Sequence, residues 1–116
     1  MLFRSDIHGI SLPHEDKDRL GNWYVFTITV SSKRDQIAEF LNKKGIRATV
    51  YYKVPVHRNE FYSSMGYQKV QLPKTDWAAQ HVLSLPVHPS VTPNQLESIA
   101  SHVETAVSDL NLNGRG

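Results

Sequence analysis

The 116-residue chain contains no cysteine. A disulfide framework, a thiolate metal site and a cysteine nucleophile are therefore excluded. The chain also lacks any apolar run near the ~20 residues needed to span a bilayer. Its first residues, MLFRSD, lack the apolar centre of a signal peptide. These absences favour a cytoplasmic protein with no membrane partner.

Charge of either sign is sparse and mixed. The 13 Lys and Arg residues against 11 Asp and Glu residues give a formal charge of +2, with no cationic run beyond pairs such as Lys33-Arg34. That distribution argues against a nucleic-acid binder with an electrostatic stripe. A small α/β RNA-binding domain is disfavoured too, because residues 23–30 lack the basic, glycine-interleaved aromatic pattern that stacks bases. We expect no nucleic-acid partner.

Recognisable catalytic motifs are missing as well. Six histidines invite a metal hypothesis, but none pairs at the H-x-H or i, i+4 spacing common in zinc sites. No G-x-S-x-G nucleophile elbow and no phosphate-cradling glycine loop is present. We therefore predict no catalytic residue, no cofactor-binding residue and no metal site in this chain alone.

The segment WYVFTITV, residues 23–30, is the most secure strand, because β-branched and aromatic residues dominate it. One of its faces is wholly apolar or aromatic, and we expect that face to meet the core. It consists of Tyr24, Phe26, Ile28 and Val30. A short strand over residues 9–12 precedes it, followed by an exposed charged loop.

A helix is predicted after Ser31-Ser32, since apolar residues recur at helical spacing over residues 37–41. Gly45 stands where a left-handed C-terminal cap belongs. Residues 46–52 then return to a strand pattern. The two strands and the helix between them predict a β-α-β unit, with the relative direction of the strands left open.

The second half is predicted to begin with an irregular stretch, residues 55–73, that contains one short helical turn. Thr75 is expected to cap a short helix, and residues 82–85 form a third strand that Pro86 ends. The last helix is the clearest, because TPNQ at residues 92–95 combines a capping box with proline at the first helical position. Its apolar stripe is Leu96, Ile99, Ala100, Val103 and Val107.

Together these elements predict an α/β (α+β) small domain, with a short mixed or antiparallel sheet of about three to four strands packed on helices. We assign residues 1–21 to an N-terminal short strand and exposed loop. Residues 22–110 are assigned to the α/β domain and residues 111–116 to a flexible tail.

The stretch GIRATVYYKVPVH, residues 45–57, leads from a strand pattern into a group of polar side chains. The phenols of Tyr51 and Tyr52, the ammonium of Lys53 and the imidazole of His57 lie within seven residues. Strand ends commonly lead into functional loops, and these groups suit a polar, anionic ligand. From composition alone, the alternative that one tyrosine is core and Lys53 a solvated charge is better supported.

The order of motifs along the chain is more specific than any one of them. A Trp-containing strand leads to a helix ending K-K-G-I, a strand ending in an aromatic pair, P-x-H, F-Y-x-x-x-G-Y, a helix, L-S-L-P and T-P-x-Q-L. From about residue 7 to residue 107, this succession resembles the C-terminal domain of the DegT/DnrJ/StrS-type sugar aminotransferases.

The resemblance implies the small domain of a fold-type-I enzyme that depends on pyridoxal phosphate (PLP). Such enzymes transfer an amino group, commonly from glutamate, to a nucleotide-linked keto-sugar. The implied partners are the large PLP-binding domain of the same polypeptide, a second copy in a homodimer, and the nucleotide-sugar substrate. The family's Schiff-base lysine stands in an S-x-H-x-x-K pattern in the large domain, and this chain has no such pattern. The resemblance thus makes the chain one part of an active site, and leaves open whether it is an enzyme by itself.

The family's H-Y-x-x-P-x-H pattern falls on residues 51–57. Tyr52 and His57 match it, whereas Tyr51 replaces its first histidine and Lys53 its usual proline. The resemblance implies that Tyr52 and His57 line the substrate side of the cleft, with Tyr51 and Lys53 as helpers. Trp23 and the L-S-L-P segment, residues 83–86, are assigned packing roles.

Another class of protein stays open beside this one. A free-standing α/β module descended from such a domain would bind a nucleotide or nucleotide-sugar without catalysis. Met1 falls just before the family's small-domain strand, which suggests a cut rather than a complete protein.

Overall fold

The computed structural model describes residues 7–86 and 88–113, with the backbone alone for residues 111–113. One antiparallel sheet has the order β1–β2–β3, formed by Ile10–Ser11, Phe26–Val30 and Val82–Leu85. The α-helices are α1 (Arg34–Lys43), α2 (Glu60–Ser64), α3 (Pro73–His81) and α4 (Pro93–Asn113). Single 3-10 turns cover Val56–Arg58 and Tyr67–Lys69. The predicted α/β small domain with a short antiparallel sheet is confirmed.

The inward face of β2 organises the core. Phe26 and Ile28 are buried and pair in register with Leu85 and Leu83 of β3. Helices α1 and α4 pack on each other over this face. They contribute the buried side chains Ile37, Leu41, Ile99, Val103, Ala106 and Val107. Among the residues described, no helix is both long and apolar enough to cross a bilayer.

Strand β2 is shorter than the prediction at its N-terminal end. Trp23 has a φ of 51°, in the left-handed region, so regular strand geometry begins only at Phe26. Tyr24 is consequently 89% exposed, and its predicted place in the core is wrong. Trp23 packs against Phe26 with ring centroids 5.7 Å apart, as its packing role predicts.

The predicted strand over residues 46–52 is wrong. A single residue of that segment, Thr49, pairs with the sheet: its N–H donates to the Ser84 carbonyl at 3.0 Å and its carbonyl accepts from the Ser84 N–H at 2.8 Å. The Ala48 carbonyl accepts instead from the Asn42 side chain at 3.0 Å. The chain then turns away at Tyr51 and Tyr52, so no ladder can extend.

The observed start and end of α1 can be compared with the predicted start after Ser31-Ser32 and the predicted C-terminal cap at Gly45. The helix begins at Arg34, slightly after Ser31-Ser32, with Lys33 at the N-cap position. Gly45 has a φ of +85°, which confirms the left-handed conformation expected after the helix.

The second half contains more helix than predicted. Residues 55–73 hold α2 and two 3-10 turns where one turn was expected. Helix α3 begins at Pro73, since proline suits the first helical turn, and Thr75 lies within the helix rather than at its cap.

Strand β3 and helix α4 match their predictions. The Thr92 N–H donates to Gln95 Oε1 at 2.9 Å and the Gln95 N–H donates to Thr92 Oγ1 at 3.2 Å, which confirms the capping box. Helix α4 continues to Asn113, and residues 114–116 of the predicted tail lie outside the described residues.

Candidate functional site

Tyr51 and Tyr52 occupy the turn where the chain leaves the sheet. Their rings meet edge to face with centroids 5.4 Å apart, and the peptide bond between them is cis. Tyr51 is 50% exposed and Tyr52 is 73% exposed. Both phenols are therefore accessible to a ligand or to another protein surface.

Lys53 lies beside the first turn of α1. Its Nζ is 3.9 Å from Asp35 Oδ1, and the Arg34 Nε donates to the same oxygen at 2.8 Å. The Arg34 side chain is buried, and its Nη1 donates to the carbonyls of Ala79 (2.7 Å) and Val82 (3.0 Å). Arg34 and Asp35 thus connect Lys53 to the junction between α3 and β3.

His57 points inward rather than into open solvent. Its side chain is buried, and its Nε2 lies 3.1 Å from Asp76 Oδ1 of α3 without forming a hydrogen bond of good geometry. No hydrogen bond or ion pair connects it to Tyr51, Tyr52 or Lys53 within residues 7–86 and 88–113.

Arg58 holds the same carboxylate in a fork. Its guanidinium donates to Asp76 Oδ2 at 3.1 Å and to Oδ1 at 3.4 Å, and also to the Gln68 carbonyl at 3.1 Å. The hydrogen bond from Arg58 lowers the pKa of Asp76 below its usual 3.8, and the same bond raises the pKa of Arg58. At neutral pH, Asp76 is therefore ionised where it lies between Arg58 and His57.

The structure brings the four sequence-predicted residues into two groups. Tyr51, Tyr52 and Lys53 share the exposed turn, and His57 belongs to a charge cluster with Arg58 and Asp76. Sequence reasoning missed Arg34, Asp35, Arg58 and Asp76. Arg58 and Asp76 are 18 positions apart, on separate elements, so no local spacing pattern reveals this pair.

Exposed apolar side chains concentrate around these groups. Of the 13 large apolar side chains that are exposed among the described residues, ten lie between positions 51 and 77, and we call them the 51–77 surface. They are Tyr51, Tyr52, Val54, Val56, Phe61, Tyr62, Met65, Tyr67, Leu72 and Trp77. Phe61, in the short helix α2 of this stretch, is 63% exposed. Ring contacts join Phe61 to Tyr62 and Tyr62 to Tyr67, and exposed apolar side chains in contact with one another are typical of an interaction site.

The described residues do not supply a PLP site by themselves. The Lys53 ammonium is exposed and lies beside a carboxylate, so it lacks the enclosed setting that activates a Schiff-base lysine. Asp76 is already shared between Arg58 and His57 and is not free to pair with a pyridinium nitrogen.

Replacing Asp76 with Asn is expected to destabilise the fold at pH 7 and to have little effect in acid. The folded-state pKa of Asp76 is lowered, so its ionised form stabilises the fold above about pH 4. That contribution is lost as the pH falls through the folded-state pKa. Urea denaturation of wild type and variant across this pH range should show the difference in free energy of unfolding shrink toward zero.

The matched control is Asp16→Asn. Asp16 is 54% exposed and contacts only exposed groups, so its replacement should change the free energy of unfolding little at any pH. If the difference in free energy of unfolding between wild type and Asp76→Asn stays the same at low pH, the carboxylate charge is not what stabilises the cluster.

Comparison with known proteins identifies the family. The model of the DegT/DnrJ/EryC1/StrS aminotransferase family matches residues 4–104. The chain is 34% identical over 91 residues to the pleiotropic regulatory protein of Geobacillus stearothermophilus, covering 78% of this chain and 24% of that protein. It is 35% identical over 81 residues to dTDP-3-amino-3,4,6-trideoxy-alpha-D-glucose transaminase of Streptomyces venezuelae, covering 70% and 21%. The chain thus spans between a fifth and a quarter of the length of these relatives.

Solved structures of the same kind share the fold. The crystal structure of S. venezuelae DesV superimposes with a TM-score of 0.80 at 29% identity, over 89% of this chain and 28% of that chain. NtdA of Bacillus subtilis with bound cofactor PMP gives a TM-score of 0.72 at 26% identity, over 87% and 23%. Sequence similarity and fold agree over most of the chain's length. The chain therefore belongs to the DegT/DnrJ/EryC1/StrS aminotransferase family.

Proposed function

We propose that this chain is the C-terminal small domain of a PLP-dependent nucleotide-sugar aminotransferase. In the complete enzyme a large domain holds PLP, which supplies the electron sink for amino transfer. This chain closes one side of the cleft. Tyr52 and His57 line the substrate side there, with Tyr51 and Lys53 beside them.

The 51–77 surface is the observation that carries this proposal. It joins the predicted substrate residues Tyr51 and Tyr52 with other exposed aromatic and aliphatic side chains, whereas a domain that stands alone normally buries or disperses such groups. Its rings also contact one another, with Phe61–Tyr62 and Tyr62–Tyr67 centroids 5.2 and 6.1 Å apart. We propose that a large domain of the same polypeptide covers this surface and that a second copy completes a homodimer.

The accessible phenols and the buried imidazole suit different tasks in such a cleft. Tyr51 and Tyr52 can donate to or accept from sugar hydroxyls, and Lys53 can approach a phosphate as a point charge. His57 is buried, with its Nε2 3.1 Å from Asp76 Oδ1, so burial holds its ring in position. These roles concern binding and orientation, and they leave the amino-transfer step to the large domain.

The isolated chain is expected to self-associate through the 51–77 surface. Sedimentation velocity should show a sedimentation coefficient that rises with concentration, and Phe61→Asp should reduce this rise, because a charge at the centre of an apolar contact opposes its burial.

The control for this experiment is Leu20→Asp. Leu20 is 92% exposed and lies outside the 51–77 surface, so its replacement alters net charge equally without affecting association. A chain that remains strictly monomeric at high concentration would instead favour the free-standing binding module.

In the complete enzyme, Tyr52→Phe is expected to raise the KM for the nucleotide-sugar by about two- to tenfold, because one hydrogen bond to the substrate is lost. The matched control is Tyr62→Phe, which also removes one tyrosine hydroxyl from the 51–77 surface. It should leave the KM for the nucleotide-sugar unchanged. Steady-state kinetics of His57→Asn tests whether His57 also contributes to the KM for the nucleotide-sugar. Because His57 is buried, thermal unfolding of this variant checks that its fold is intact. Unchanged constants in both Tyr52→Phe and His57→Asn would refute the assignment of the substrate side.

A further inference from the structure

Three charged side chains meet at the first turn of α1, two of them cations and one an anion. The Arg34 Nε donates to Asp35 Oδ1 at 2.8 Å, and the Lys53 Nζ lies 3.9 Å from the same oxygen. The side chains of Asp35 and Lys53 are each 65% exposed, whereas that of Arg34 is 7% exposed. The group therefore carries an excess of one positive charge, and of its two cations only Lys53 is open to a ligand.

Arg34 is fixed where α3 passes into β3. Its Nη1 donates to the carbonyls of Ala79 and Val82 at 2.7 and 3.0 Å. The Ala79 carbonyl belongs to the last turn of α3, where carbonyls lack a partner within the helix. A guanidinium keeps its charge when it is buried, and burial of a charge is costly unless an opposite charge lies beside it. Asp35 provides that opposite charge.

The Asp35 carboxylate is held on the Arg34 side of the group. Its 2.8 Å contact with the Arg34 Nε is a charge-assisted hydrogen bond, whereas 3.9 Å to the Lys53 Nζ is too long for a hydrogen bond. Asp35 also lies in the first turn of α1, where the helix dipole favours a negative charge. The buried guanidinium and the helix therefore both oppose a movement of the carboxylate toward Lys53.

The Lys53 ammonium consequently keeps its donors. It makes no hydrogen bond among the residues that the structure describes, and its ion pair with Asp35 joins two exposed groups, which is a weak kind of pair. Because Arg34 already neutralises Asp35, the compact charge of Lys53 remains available to an external anion.

We propose that Arg34 is a positioning residue for Lys53. By holding Asp35, it prevents this carboxylate from closing on the Lys53 ammonium and neutralising it. Arg34 is buried, so it acts through Asp35 rather than on the ligand itself. This role rests on the proposed function, in which Lys53 approaches an anionic group of the substrate. It gives two residues outside the predicted substrate set control over that charge.

The arrangement of charges is tested first in the chain alone, without substrate. In Arg34→Gln, Asp35 loses its closest cation and is expected to form a direct ion pair with Lys53. NMR of the Lys53 ammonium should then show slower exchange of its protons with water than in wild type, because the ion pair protects them. Equal exchange rates in the two proteins would overturn the proposal. Circular dichroism checks that the variant is folded.

In the complete enzyme, Arg34→Gln is expected to raise the KM for the nucleotide-sugar about two- to fivefold, the size of effect that an exposed ion pair has. Adding Asp35→Asn to this variant should return the KM to the wild-type value or below, because no carboxylate is left to pair with Lys53. If Arg34 only stabilised the fold, the second substitution would not restore the KM, and the proposal would be overturned.

Asp35→Asn alone keeps the proposal testable if Arg34→Gln does not fold. It should lower the KM for the nucleotide-sugar, since it removes the anion nearest to Lys53. A raised KM would mean that Asp35 holds Lys53 in place, which contradicts the proposal. The matched control is Glu39→Gln, which removes one negative charge from an exposed side chain of the same helix, where Glu39 pairs with Lys43 at 3.1 Å. An equal fall in KM for Glu39→Gln and Asp35→Asn would indicate an effect of net charge alone and would also contradict it.

Lys53→Met separates a failure of this role from a failure of the proposed function. An unchanged KM in Lys53→Met would refute the part of the proposed function that is given to Lys53, and the exchange measurement would still decide whether Arg34 holds Asp35. A raised KM in Lys53→Met together with an unchanged KM in Arg34→Gln would refute the role of Arg34 alone.

Discussion

Burial of the inward face of β2 and β3 is the constraint on which the rest of the structure depends. Ile28 and Leu83, paired across the two strands, are fully buried beneath Leu41 of α1 and Val103 of α4. Each such side chain contributes on the order of 1.5–3 kcal/mol when it leaves water. The outward face is polar instead, with the Thr27 and Ser84 hydroxyls 2.8 Å apart. A core on one side of a small sheet holds the fold together and leaves the opposite surfaces for binding.

Charged side chains orient the segment that the core does not reach. After the single pair between Thr49 and Ser84, residues 50–72 lie largely outside the sheet. Arg34 and Asp35 connect Lys53 to α1 and α3, and Arg58 and Asp76 connect the turn that carries His57 to α3. The spread of the predicted substrate residues between an exposed turn and a buried cluster agrees with a cleft that one chain only partly encloses.

Local signals explain which parts of the fold could be predicted. The Thr92–Gln95 capping box and the left-handed Gly45 are determined within a few residues, so sequence spacing predicts them. The predicted strand over residues 46–52 is wrong because the chain turns away from β3 at Tyr51 and Tyr52 after the single Thr49–Ser84 pair, a turn that no alternation pattern contains. The predicted burial of Tyr24 is wrong for a similar reason, since the left-handed conformation of Trp23 overrides the period of the strand. The Arg58–Asp76 fork joins separate elements and needed the structure.

Membership of the aminotransferase family, coverage of about a quarter of the relatives' length and the apolar 51–77 surface support the proposal that the chain is a small domain of a larger enzyme. The most direct test is to sequence the DNA immediately upstream of the Met1 codon. We expect an uninterrupted in-frame stretch of roughly 250 codons, a usual size for a large domain, that encodes S-x-H-x-x-K. A promoter followed by an in-frame stop before Met1 would contradict it and would make the chain a free-standing binding module.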